Sequence, residues 1–232
     1  MISRTIKNFA AVAVVFLGGI ASAQAAIITV STSDGIVSPG RDNQGFWLVD
    51  SANANLTNDN YFTREAGSFF RRSYFSFDLS AVTGNVIGAT LELRRYTTDS
   101  GATLELFDVS TSATDLAQRG IIDNAIHADL GSGASYGSLA AGSGISTDIL
   151  SFALNSSAFT DINGALGGYF SIGATSTGGT SFKHSGSGGR SSFTQKLVLV
   201  TAEATAIAEP ASLAILSIGL AGLGCVRRRK TA

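Results

Sequence analysis

The chain has 232 residues, 44% of them hydrophobic and only 14% charged, with 27 Gly, two Pro, two His and one Cys. So few His and Cys exclude a zinc cluster and a disulfide framework, and Gly without Pro points to tight turns, not to collagen or a Pro-rich stalk. The net charge of −1 hides basic ends: without Arg4, Lys7, Glu209, Arg227, Arg228, Arg229 and Lys230 the body keeps 10 bases against 16 acids, which argues against nucleic acid as a partner.

Residues 1–25 carry the three parts of a secretory signal. Arg4 and Lys7 are the charged part, residues 9–20 are apolar, and Ala21-Ser22-Ala23-Gln24-Ala25 supplies small residues for a signal peptidase, with the cut expected after Ala25. Twelve apolar residues are short of the roughly 20 needed to span hydrocarbon, so an anchor helix is the poorer reading.

Residues 26–208 form the body, one domain long enough to bury a core. Period-two alternation dominates it. Short strands are expected over 27–30, 46–49, 61–62 and 149–154. Over 69–79, Phe69, Phe75, Phe77 and Leu79 share one face, and Arg72, Tyr74, Ser76 and Asp78 the other. Ile87, Ala89, Leu91 and Leu93 then alternate with Gly88, Thr90, Glu92 and Arg94; Leu104 and Leu106 follow the same rule. Phe170 and Ile172 alternate with Tyr169 and Ser171, and 193–200 form a strand whose second face is also apolar. Thr98-Asp99-Ser100-Gly101, Gly131-Ser132-Gly133 and Gly142-Ser143-Gly144 are expected turns.

Two helices break the strand pattern. One runs from an Asn155 cap through Phe159, Ile162 and Leu166 to Gly164 or Gly167; a weaker one spans 114–118 behind Ser112 or Thr114. Many strands without a βα rhythm predict an all-β antiparallel β-sandwich, a jelly roll, whose shared core face holds Phe75, Phe77, Leu91, Leu93, Leu104 and Leu106.

Chemistry is sparse in this body. His127 and His184 lie far apart without a zinc spacing, His127 in a short loop or strand end, and both suit the surface. Glu92 and Glu105 are expected on neighbouring strands, where they can approach as a glycosidase pair or simply face cross-strand partners. Asp50, Asn53, Asn55, Asn58, Asp59 and Asn60 crowd one irregular segment; its oxygens, Asp50, Asn58 and Asp59 above all, are the candidate for structural calcium, the one cofactor considered. Trp47, Tyr61, Tyr74 and Tyr96, with Arg72 and Arg94 on the same strand faces as two of them, are the candidate platform for stacking sugar rings.

The stretch Phe70-Arg71-Arg72-Ser73-Tyr74-Phe75-Ser76-Phe77-Asp78-Leu79-Ser80, followed by Ala89-Thr90-Leu91-Glu92-Leu93, resembles DNRLRE-type extracellular sandwich domains. That resemblance implies a jelly-roll sandwich related in shape to carbohydrate-binding modules; it does not imply a catalytic site.

Residues 209–232 close the chain with Glu209-Pro210, sixteen uncharged residues over 211–226 and then Arg227-Arg228-Arg229-Lys230. At about 1.5 Å per residue this apolar helix spans roughly 24 Å against about 30 Å of hydrocarbon, a marginal crossing whose basic end stays cytoplasmic. Cys225, near that end, suits a small apolar filler better than an acylation site. Glu209-Pro210-Ala211-Ser212-Leu213, the helix and the Arg cluster in this order resemble the PEP-CTERM sorting signal, with Ala208 in place of the family's first Pro. The resemblance implies transient residence in the inner membrane of a Gram-negative bacterium and removal of the tail by exosortase, a membrane protease. Delivery then follows to the cell surface or an exopolysaccharide matrix.

Sequence alone therefore leads to an exported, non-enzymatic, structural or glycan-binding sandwich. Its alternatives are a polysaccharide lyase or hydrolase, and a plain tail-anchored structural subunit.

Overall fold

The computed structural model describes residues 25–202 apart from 33–34, 38–40, 54–59, 67–68, 95–96, 146–148, 178–180 and 184–193. In chain order the elements are β1 (Ala25–Ser31), β2 (Gln44–Leu48), β3 (Phe62–Ala66), β4 (Phe69–Asp78), β5 (Asn85–Arg94) and β6 (Thr97–Asp108). Then come α1 (Ala113–Leu116), α2 (Asn124–Asp129), β7 (Ser135–Ile145), β8 (Ile149–Ala153), α3 (Ser156–Gly164), β9 (Tyr169–Thr177), β10 (Ser181–Lys183) and β11 (Lys196–Ala202). A four-stranded sheet has the order β1-β11-β5-β8; a seven-stranded sheet runs β10-β3-β4-β9-β6-β7, with β2 also on β4. Every strand pairing is antiparallel.

The two sheets face each other across one apolar core, as the alternation requires. Phe75, Phe77, Leu104, Leu106, Phe170 and Ile172 from the larger sheet meet Leu91, Leu93, Leu197 and Leu199 from the smaller. All six side chains expected to form this core have no exposed surface. The β-sandwich-like, all-β architecture expected from the sequence is the one observed.

Four expectations need correction. Ile87 is half exposed while Val86 is buried, because the register slips between Val200 and Thr201: Val200 faces Gly88 and Thr201 faces Val86. Ile87 is the extra residue of a β-bulge, which turns it outward. Glu92 and Glu105 are not on neighbouring strands, since the chain changes sheets between β5 and β6. Glu92 faces Lys196 and Ser151, and Glu105 faces Ser138 and Thr175. Thr98 and Gly142 fall in paired strand, with the register irregular between Thr98 and Ala102, where turns were expected.

The fourth correction concerns the outer face of the larger sheet, which is covered instead of wet. Between β6 and β7 the chain makes an excursion over 109–134 that carries α1 and α2. Ser112 caps α1 as expected, accepting from Asp115 N at 3.1 Å. Asp123 caps α2, a helix where a loop or strand end was expected. Burial works against the Asp129 carboxylate, but hydrogen bonds from the backbone and hydroxyls of Thr111 and Ser110 outweigh it and hold the group below its usual range. This clamp closes the excursion into a lid with its own apolar contacts: Trp47, Tyr74, Leu116 and Leu130. Gly173 makes the fit, because a Cβ there would stand 2.5 Å from the Leu130 carbonyl oxygen. Both faces of β9 are buried in consequence.

Candidate functional site

Most of the aromatic and Arg side chains picked out for sugar stacking are structural. Trp47, Tyr61 and Tyr74 have no exposed surface, so no ring face is open to a ligand. Trp47 donates its indole N–H to the Leu116 carbonyl at 3.2 Å, fastening α1 to β2. Tyr61 donates its hydroxyl to the Arg94 carbonyl, joining the two sheets, and packs edge-to-face on Phe75 with centroids 5.3 Å apart. Arg72 pairs with Glu65 at 2.9 Å and donates to the carbonyls of His127 and Ala128 at the end of α2, where a cation suits the helix dipole. The Arg94 backbone N–H donates to Gln195 Oε1 at 2.7 Å and its side chain is half-buried. Tyr96 lies outside the described residues. For Trp47, Tyr74 and Arg72 the physical reason is the lid, which turns the second face of β4 into core; Tyr61 belongs to the main core between the sheets.

His127 is likewise buried, not at the surface, and no described group bonds its Nε2. Burial, assisted by the nearby Arg72 guanidinium, depresses its pKa to about 4. His184 lies outside the described residues, as do Asn55, Asn58 and Asp59 of the calcium candidate. Three members are described: Asn60 is buried, and the other two are used in folding. Asp50, at φ 51°, exchanges two hydrogen bonds with Asn124, and Asn53 Oδ1 accepts from Ile121 N at 3.0 Å. Among the described residues no group of three His, Cys, Asp or Glu side chains could hold a metal ion.

A roomier hollow lies elsewhere, an open groove of about 460 Å³ where β6 ends, β7 and β9 begin, and α3 runs alongside. Its polar lining includes Asp108, Asp161, Thr160 and Ser171, and its aromatic lining is Tyr136, Tyr169 and Phe170. Tyr169 is 43% exposed; Tyr136 and Phe170 lie beneath as a tilted pair with centroids 5.8 Å apart. The Tyr136 hydroxyl donates to Asp161 Oδ2 at 2.8 Å. Burial, that bond and the charges of Asp161 and Asp108 push the phenol far above its ordinary range, so it stays protonated and holds Asp161 in place. Burial and the Asp78 charge push Tyr169 up as well. Among the described residues no Lys or Arg lines this groove.

Its walls are fixed at both ends of α3. Asn155 accepts from Ser157 N and Ala158 N, and its Nδ2 donates to the Ser135 carbonyl at 2.7 Å. Asn163 donates to the Val86 carbonyl and accepts from Val86 N. The expected Asn155 cap, with Ile162 buried behind it, is therefore what positions Asp161. Sequence reasoning missed Asp108 and Asp161 because neither has a local motif. The available signal was the Leu166-Gly167-Gly168-Tyr169 turn, which brings a helix end back onto an exposed aromatic strand residue.

A second hollow, of about 210 Å³, lies between α1 and α2 and includes Asp115 and Asp123 in its lining. Both carboxylates are engaged, Asp115 by Ser112 and Gln118 and Asp123 by the first N–H groups of α2. No protein-family model matches the chain, and no curated protein sequence matches it. Among the described residues no helix is long and apolar enough to cross a membrane; residues 209–232 lie outside them.

Proposed function

We propose that this chain is an exported β-sandwich, delivered to the cell surface or matrix through its PEP-CTERM-like tail, which binds exopolysaccharide in the groove beside α3. The carrying observation is the groove itself. It sets an exposed tyrosine ring beside carboxylate, hydroxyl and phenol groups on rigid elements, and it has the mostly preformed, concave character of small-ligand sites. Sugar rings offer both C–H faces for stacking and hydroxyl donors for carboxylates, so the two halves of the lining suit one class of ligand. The strand order β1-β11-β5-β8 over β4-β9-β6-β7 supports reading the sandwich as a jelly roll.

Export is supported by the three-part leader and by the order of Glu209-Pro210, apolar helix and Arg227-Arg228-Arg229. Exosortase is the processing partner in this reading, and the membrane a transient one.

Affinity electrophoresis through gels containing the host's exopolysaccharide tests the binding. Retardation that falls at least tenfold in Tyr169→Ala and in Asp108→Asn, with Trp47→Phe still retarded, is the expected result. Equal mobility in the presence and absence of polysaccharide contradicts it.

A second reading uses the same groove. Asp108 and Asp161 line it together, so a glycoside-cleaving enzyme would draw on this pair. Release of reducing ends that stops in Asp161→Asn would favour it; binding without release favours the binding module.

A further inference from the structure

We propose that β1 is a self-association edge, through which two copies of this chain join their four-stranded sheets into one continuous eight-stranded sheet. β1 is the first strand of that sheet, paired on one side with β11, and no described strand pairs its other side. Open strand edges are normally protected by a charge, a proline, a bulge or a covering loop. β1 has none of the first three: its sequence Ala25-Ala26-Ile27-Ile28-Thr29-Val30-Ser31 carries no charge and no Pro, and its register with β11 is unbroken. It is instead rich in β-branched residues, which favour pairing. On the solvent side Ile27 is 74% exposed, the largest exposure among the large hydrophobic residues described.

The other edges are treated differently. The β2 side is covered by the lid, where Arg119 donates to the Gln44 carbonyl at 3.0 Å. On the opposite side of the sandwich the α3 cap that follows β8 is stitched to β7, Asn155 N donating to the Tyr136 carbonyl at 3.1 Å and Asn155 Nδ2 to the Ser135 carbonyl. Just beyond β1, Asn43 N donates to the Thr32 carbonyl and Thr32 Oγ1 to Gln44 Oε1, which ties that end across the sandwich. Residues 26–30 therefore carry no charged side chain and no Pro, and no described strand pairs this edge.

The occupant is a second copy because the edge is complementary to itself. Antiparallel pairing across a twofold axis keeps alternate side chains on the same face only in registers that match odd positions with odd. The register with the greatest overlap sets Ile28 on the axis and Ile27 opposite Thr29 of the other copy. Both cores then lie on one side of the joint sheet, and the exposed Ile27 side chains gain a partner. Export as proposed, with the cut after Ala25, removes Ala25 and everything before it, so that the pairing edge, Ala26 to Ser31, starts at the new N-terminus. A matrix protein also gains from joining copies, since two grooves on one particle engage a polysaccharide at two points.

Charge exchange tests this. Ile27 and Thr29 both face solvent in the single copy, so the double variants I27K/T29K and I27E/T29E should keep the fold, which circular dichroism and melting check. The exported protein, washed from the cell surface, should sediment at twice the chain mass. Each double variant alone should sediment at the single-chain mass, because like charges then face each other across the axis. An equimolar mixture of the two should return to the double mass. A wild-type monomer overturns the inference, whatever residue the chain begins with. A dimer that survives in both variants equally also overturns it, placing the contact elsewhere.

Discussion

Ala25 and Ala202 face each other on the outermost rung of the β1–β11 pairing, so the chain enters and leaves the sandwich side by side. Asn85 faces Ala202 on the next strand, and Val86 is bonded to Asn163 of α3. The groove with Asp161 and Tyr169 is therefore at the same pole as both chain ends.

The main core should be the most sensitive part of the body. Phe77, fully buried between the sheets, should cost about 3–5 kcal/mol when replaced by Ala. Tyr74→Ala should cost a comparable amount, because its ring is equally buried beneath the lid. Urea unfolding measures both. A loss below about 1 kcal/mol at Tyr74 would mean that the lid is not packed as described.

Stability should fall in acid through His127. Its folded pKa lies near 4, below the ordinary 6.5, because burial and then Arg72 disfavour the cation. Between these values the unfolded chain binds the extra proton, so stability declines as pH drops from about 6.5 to 4 and levels off below. The decline is a few kcal/mol at most, at about 1.4 kcal/mol per pH unit. His127→Gln should flatten that part of the curve; an unchanged slope in the variant would assign the acid sensitivity to other groups.

The helix wall can be loosened without touching the groove's lining. Asn155→Ala removes the α3 cap and the bond to Ser135, which should cost about 1–2 kcal/mol. Polysaccharide retardation should weaken with it, since Asp161 rides on that helix. Asn155→Asp keeps the cap and should restore most of the stability.

The main core was legible because its cause is local. Phe75, Phe77, Leu91, Leu93, Leu104 and Leu106 obey a period of two, and Ser112 and Asn155 mark helix starts by their own side-chain bonds. What failed depended on distant chain. Nothing near Tyr74 announces that residues 109–134 will lie over it. Ile87 turns outward because of a slip on β11, more than a hundred residues away. Glu92 and Glu105 alternate correctly on their own strands, yet the crossing between sheets separates them. The groove joins the ends of β6, β7, β9 and α3, a meeting set by topology and not by any motif.

Sorting remains the claim on which the rest of the functional reading depends. In the proposed reading Glu209-Pro210, just before the sixteen-residue uncharged segment, marks where the tail is removed. Replacing Arg227, Arg228 and Arg229 with Glu should impair retention and processing, because these bases hold that end in the cytoplasm. Intact-mass spectrometry of the protein recovered from the cell surface tests the claim most directly. The account predicts a chain that begins near Ala26 and ends close to Glu209-Pro210. A mass that still includes Arg227, Arg228, Arg229 and Lys230 would contradict it and leave a membrane-anchored sandwich.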